Sequence, residues 1–366
     1  MKKNINAVYL MHSLNSLAGS FIGIFIPIYL LTLHYPVSTV FEYYLGLYVA
    51  IFFLFIFASF IARRLGLKRT LLVYFPFQLL YLGLLYTLPH TTIPLWIIAG
   101  VNAIAVAFYW YPLHLFFVTQ AQKKEMGESV GKLYALPKLV TIASPLIGAF
   151  IAIQGGFPLL FAITIVLYLI VSISLLYLPD SRPAIQFQFG KFVALARRYP
   201  RYILAEIGEN IREEVGGLVL PIVIFLTFDS ILSVGVVGVL TKIGSALFIL
   251  LIGRYADRLK RTSILRVGAI ITMAIWAVFF FAHREVSFYA LTLFVGFFGA
   301  LLLIPFNALV YDYAQESAAP AEFIVFREVP VTLARVFVYG TGLLFVSSLN
   351  YLFLLPVFGS LFFWVL

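Results

Sequence analysis

The chain has 366 residues, of which 63% are hydrophobic, 17% aromatic and only 11% charged, well below the charged share of a soluble domain. That much apolar surface exceeds what a water-soluble core absorbs, so composition excludes a soluble globular protein and points to an all-α membrane protein. The absence of cysteine excludes a disulfide framework and a thiolate metal site. A net charge of +10 would suggest a nucleic-acid partner in a soluble chain, but here it is placed by membrane topology.

Twelve apolar stretches have about the 20 residues needed to cross the hydrocarbon of a bilayer. The first, 7–33, follows Lys2 and Lys3 and runs past Ala18-Gly19-Ser20 without a cleavage site, so it reads as a retained span and not a signal peptide. It carries His12, Asn15, Ser16, Gly19 and Gly23 on one helical face. Stretches 39–62 and 70–88 flank the basic segment IARRLGLKRTLL. The fourth, 93–118, holds Asn102, His114 and the aromatic run Tyr109-Trp110-Tyr111. After 131–153 and 157–178, a basic stretch from Pro179 to Pro200 reads as a linker.

The seventh, 202–228, opens with AEIGENIREEVGG, in which Glu206, Glu209, Asn210, Glu213 and Gly217 share a face about 100° wide. Arg212 and Glu214 flank that face. Residues 199–214 also fit an interfacial amphipathic helix ahead of a shorter span, and Glu209 with Arg212 also fits a structural ion pair. Stretch 230–252 contains Lys242, whose ammonium would need a carboxylate, and Glu213 or Glu214 is the expected partner. The segment GRYADRLKRTSIL and then 263–282 and 287–311 follow, the last bearing Asn307 and ending just before Asp312. In 324–347, Arg335 shares a face with Glu328 and is expected to pair with it or with Asp312. The twelfth stretch is 350–366.

If odd-numbered spans run outward, Lys2, Lys3, Arg63, Arg64, Lys68, Arg69, Lys123, Lys124, Lys132, Arg182, Lys191, Arg197, Arg198, Arg201 and the Arg254–Arg266 group fall on one side, with Arg284 on the other. The positive-inside rule then puts both termini in the cytoplasm. The lack of an Asn-x-Ser/Thr sequon fits a prokaryotic cytoplasmic (inner) membrane.

Shifting the chain on itself aligns Pro27 with Pro221, Ala62-Arg63-Arg64-Leu65 with Ala256-Asp257-Arg258-Leu259, and Lys68-Arg69-Thr70 with Lys260-Arg261-Thr262. Further on, Pro112 and His114 meet Pro305 and Asn307, Ala121-Gln122 meets Ala314-Gln315, and Pro137 meets Pro330. Such ordered matches mark internal duplication. An even number of spans separates the copies, so the fold expected is two parallel six-helix repeats, 1–178 and 201–366, joined by a cytoplasmic linker, 179–200.

Gly253, Asp257, Arg258 and Arg261 follow a G-x-x-x-D-R-x-x-R pattern, and with the repeat they make the chain resemble the major facilitator superfamily. The first-half copy departs from it, with Ser59 and Arg63 at the glycine and aspartate positions and Arg64 at the arginine that follows. The resemblance implies a loop that holds one conformational state, its acid at a helix N-terminus and its arginine paired with Asp312. Thr119 stands at the corresponding first-half position, so that relay is expected in the second half only. It also implies that the first, fourth, seventh and tenth spans line a central cavity.

The function expected is secondary active transport of a small solute by alternating access, as antiporter or symporter. Protons would be coupled through Glu206, Glu209 or Glu213, with His12, Asn15, Asn102, His114, Asn210, Asn307 and Lys242 completing the cavity. The excess of acids leans toward efflux of cationic or amphipathic compounds. The alternative is a sugar or nutrient facilitator or symporter using the asparagines. An intramembrane enzyme has His12 and His114 in its favour but no nucleophile elbow, zinc motif or phosphate loop, and a non-transporting scaffold rests only on the degenerate first-half motif. The partners expected are the solute, protons and the lipid bilayer, with no nucleic acid, cofactor or metal, and the unit expected is a monomer.

Overall fold

The computed structural model describes residues 2–178, 189–317 and 319–366. Arg182, residues 179–188 of the expected linker and the side chains of Lys2 and Lys3 lie outside the described residues. Among those described, regular structure is helical throughout, as a bilayer demands of a chain that must satisfy its backbone polar groups internally.

The first span joins α1 (Lys2–Ser20) to α2 (Ile26–Thr32) through a short 3-10 turn, and α3 (Val37–Leu65), α4 (Leu67–Thr87) and α5 (Leu95–Gln120) are the next three. The fifth begins with α6 (Met126–Val140) and continues into α7 (Ser144–Ser172), which also contains the sixth. Gly156, at φ +73°, breaks α7, a conformation in which a Cβ is strained. The chain turns back there. An added Cβ on Gly148 would touch Phe21, Phe157 and Phe161 lie on Tyr29, and Tyr168 returns to Gly19.

A short amphipathic helix, α8 (Phe189–Arg198), precedes the seventh span. That span is α9 (Pro200–Glu214), a π turn (Val215–Val219) and α10 (Leu220–Phe228). The amphipathic helix therefore ends before the seventh span, and the alternative of an interfacial helix over 199–214 is corrected: α9 packs inside the bundle against the eleventh and twelfth spans. The remaining helices are α11 (Ile231–Ala256), α12 (Arg261–Phe280), α13 (Glu285–Glu316), α14 (Pro320–Leu344) and α15 (Leu355–Leu361), the last flanked by 3-10 turns.

Eight described segments are long and apolar enough to cross a membrane, and one of them, Lys123–Leu175, is the fifth and sixth spans together. The seventh and eleventh fall short by that measure because they carry charge clusters, and the twelfth because its helix is broken into short pieces. With those three, the described residues form twelve spans.

Within the halves, α5 packs on α3 and α4, and α13 on α11 and α12. Between them run two seams, α3 against α14 and α11 against α6 and α7. Small residues let these helices approach closely. A Cβ added at Gly235 would stand 2.7 Å from that of Ala149, and one at Gly342 would stand 3.1 Å from the ring of Phe41. The same rule ties the seventh span to the twelfth. A Cβ on Gly208 would lie 2.2 Å from the carbonyl oxygen of Gly359. Backbone cannot yield as a side chain does, so Gly208→Ala is expected to destabilise by about 1–3 kcal/mol. A melting curve of the detergent-solubilised protein checks this, and an unchanged midpoint would refute the packing.

Candidate functional site

Two adjoining cavities lie at mid-depth, of about 430 Å³ and 470 Å³, and both are lined by Gly23 and Lys138. The first is bounded by Arg212, Glu213 and Glu214 of the seventh span, facing Tyr44 and Tyr48 of the second. The second is bounded by His12, Asn15, Asn102, Tyr109 and Trp110 of the N-terminal half, with Lys242 reaching in from α11. Of the residues singled out from sequence, His12, Asn15, Asn102, Glu213 and Lys242 line a cavity wall. Glu206, Glu209, Asn210, His114 and Asn307 do not; they are buried in polar networks beside it.

The spacing of the acids along α9 explains how they divide. Glu206 is fully buried and meets Arg327 of the eleventh span at 3.0 Å. Asn210, one turn on, donates to Glu206 Oε1 at 3.1 Å. Arg327 also donates to Asn307 Oδ1 at 3.3 Å, which accepts at 3.0 Å from Tyr134 of the opposite half. Nearby, His114 Nδ1 and the Tyr311 hydroxyl hydrogen-bond across the halves at 2.6 Å, while His12 does the same with Tyr109 inside its own half. The contacts of Glu206, Arg327 and Asn307 and the His114–Tyr311 bond form a buried polar layer between the cavities and the end that carries the basic loops, while His12 and Tyr109 remain on the cavity wall.

Nearer the middle, Glu209 takes a two-pronged ion pair from Arg212, at 2.5 and 3.0 Å, the geometry in which a guanidinium grips a carboxylate best. Glu213 approaches the same arginine only at 3.7 Å and its side chain is 47% exposed. The π turn begins at Val215, immediately after Glu214, and such a turn displaces the residues on either side of it relative to a regular helix. Glu214 points to the eleventh span, where it pairs with Arg335 at 2.7 Å and accepts from the Tyr339 hydroxyl. The Arg335 guanidinium lies 4.1 Å from the ring centre of Tyr48, across the seam.

Two expected pairings are thereby corrected. Arg335 binds Glu214 and not Glu328 or Asp312, because Asp312 lies near the basic-loop end of α13 whereas Arg335 stands midway along α14. Lys242 binds neither Glu213 nor Glu214. Glu214 is taken by Arg335, and Lys242 turns instead to Ser20 Oγ and, at 3.1 Å, to the Thr141 carbonyl.

At the basic-loop end Asp257 accepts hydrogen bonds from the backbone N–H groups of Gly127 and Glu128, at 2.7 and 2.9 Å. These are the free donors at the start of α6, where the helix dipole also favours an anion. Arg261 joins Asp257, at 3.2 Å, to Asp312. Gly253 makes room for this approach, since a Cβ there would stand 2.9 Å from the Gly127 carbonyl oxygen. Gln315 adds bonds to the carbonyls of Val118 and Ala121. Arg258 and Arg64 are exposed. In the first half Thr119 bonds its own helix, at Leu115, so among the described residues the chain of charges is that of the second-half loop.

Lys138, Tyr134 and Arg327 belong to the site yet escape a reading of the sequence by repeats and motifs. For Lys138 in 131–153 and Arg327 in 324–347 the signal is the bare presence of a basic side chain within an apolar stretch; Tyr134 carries no such signal.

No protein-family model and no curated protein matches the sequence. Solved structures do. A major facilitator superfamily transporter, FucP, in the outward conformation superposes with a TM-score of 0.73 over 99% of this chain and 97% of that one, at 13% identity. The chain has the major facilitator fold. The human organic anion transporter MFSD10 (TETRAN) gives a TM-score of 0.71 at 12% identity, over 98% of this chain and 99% of that one. A further structure of the E. coli fucose:proton symporter FucP gives 0.70 at 13%, with 99% and 97% covered. At such identities the likeness is one of fold, and the major facilitator fold leaves the cargo to individual side chains.

Proposed function

We propose that the protein is a secondary transporter that carries a small polar solute across the membrane by alternating access. The observation that carries this reading is the pair of charged, adjoining cavities at mid-depth, walled by both halves and closed off toward the basic-loop end by bonds that pass between rigid helices. Two six-helix units, 1–178 and 201–366, would rock about the cavity, breaking the Asp257 contacts as they do. The asymmetry of basic residues supports an arrangement with both termini in the cytoplasm.

Proton coupling falls most naturally to Glu213. Glu206, Glu209 and Glu214 each hold an arginine, whereas Glu213 is half-exposed to the cavity and only loosely approached. These ion pairs also use up the acid excess that favoured cationic cargo. That FucP is a fucose:proton symporter supports solute and proton as partners. A facilitator of neutral sugars is the second reading, favoured by Asn15 and Asn102 on the cavity wall.

Wild type and Glu213→Gln in liposomes, with internal pH recorded as solutes are added, tests both. Solute-driven proton movement in the wild type, abolished in the variant, is expected. Labelled solute crossing equally in both proteins with no pH change would leave the facilitator and remove Glu213 from the mechanism.

A further inference from the structure

The larger cavity contains an uneven set of charges. Lys138 and Lys242 both line it, and among the described residues neither has a carboxylate within ion-pair distance. Glu209 is held by Arg212 and Glu214 by Arg335, while Glu213, on the wall of the neighbouring cavity, lies loosely 3.7 Å from Arg212 and makes no ion pair with either lysine. An ammonium at membrane depth is costly unless a counter-charge is supplied. For two of them on one cavity wall, the natural source of that charge is whatever occupies the cavity.

A second observation points the same way. Asn15 Oδ1, on the same wall, is buried without a hydrogen-bond partner, in a residue only 7% exposed. A buried acceptor left unpaired costs about 1–3 kcal/mol, and a donor carried by a ligand would satisfy it. Beside Asn15 stand Tyr109 and Trp110, flat faces suited to the body of a small molecule.

We infer that this cavity binds a small hydroxylated organic anion, its charged group held between Lys138 and Lys242 and a hydroxyl donated to Asn15. The inference rests on the reading of the cavity as the solute site and adds the class of solute. Lysine ammoniums act as point charges and serve carboxylate and phosphate alike, so a sugar acid and a sugar phosphate share the chemistry. Entry of such an anion together with a proton at Glu213 would move less net charge than the anion alone.

The test uses the full chain purified in detergent, with gluconate, a sugar phosphate, glucose and ethanolamine as probes and the melting midpoint and calorimetric affinity as readouts. Gluconate or the sugar phosphate is expected to bind and stabilise, and whichever is tighter identifies the anionic group. Lys138→Gln and Lys242→Gln are each expected to weaken that binding roughly tenfold, and the arginine replacements to retain most of it. If a glutamine variant does not fold, the wild-type comparison of gluconate with uncharged glucose carries the test alone. Binding of glucose or ethanolamine in preference to both anions, binding of no anion, or anion affinity unchanged in folded glutamine variants would overturn the inference. Gluconate that binds but never crosses a liposome bilayer would sink the transport reading instead, and glucose transport indifferent to both lysines would sink only the anion.

Discussion

Arg327→Met is expected to destabilise the protein by about 3–5 kcal/mol, the cost of removing one partner from a buried ion pair. Glu206 is fully buried, and its Oε2 has no hydrogen-bond partner, so apart from the Asn210 amide its charge is compensated by Arg327 at 3.0 Å. Methionine keeps the bulk of the arginine stem and leaves the carboxylate stranded. The same change removes the bond to Asn307 and loosens the link through Tyr134 to the other half. The double variant Glu206→Leu with Arg327→Met should recover most of the loss, because packed apolar groups replace buried ion pairs at little cost. Thermal melts of the three proteins in one detergent decide it. A single variant that melts no lower than the double would show that the pair carries no such weight.

Asp257→Ala should shift the balance between conformations. It deletes two hydrogen bonds from a charged acceptor to the start of α6 in the opposite half and unhooks Arg261 from one of its two acids. Bonds of this kind contribute about 2 kcal/mol, which is roughly thirtyfold in a two-state ratio. The chain contains no cysteine, so spin labels can be placed through Lys124→Cys and Glu316→Cys alone. Their distance distribution should gain a longer component in the Asp257→Ala background and stay unchanged with Arg64→Ala, whose side chain is exposed. A distribution unaffected by the Asp257 change would mean that other contacts, such as those of Gln315, hold this end shut.

Much of the architecture was legible in the sequence because its causes are local. A span needs a run of apolar residues, and 39–62 or 263–282 can be recognised without reference to any other part of the chain. The motif around Asp257 was legible for a related reason, since its glycine, acid and arginines lie within nine residues and repeat, in degenerate form, half a chain earlier. The seventh span was harder. Its face of Glu206, Glu209, Asn210 and Glu213 follows from helical periodicity, but periodicity treats them as one acidic surface, and the structure divides them among Arg327, Arg212 and an open cavity wall.

By itself, then, the sequence determined a helical membrane protein, its twelve apolar stretches, its internal repeat and the loop that bears the charge relay. Tertiary structure alone decided which charges meet. Glu206 and Arg327, Glu214 and Arg335, and Lys242 and Ser20 are each separated by more than a hundred residues, and whether they touch depends on how far each helix is rotated and tilted against the next. An apolar run states that a helix crosses the membrane, but every orientation about its axis crosses equally well. Only the packing of all the helices together chooses one, and with it leaves Lys138 and Lys242 facing the cavity with no ion-pair partner among the described residues.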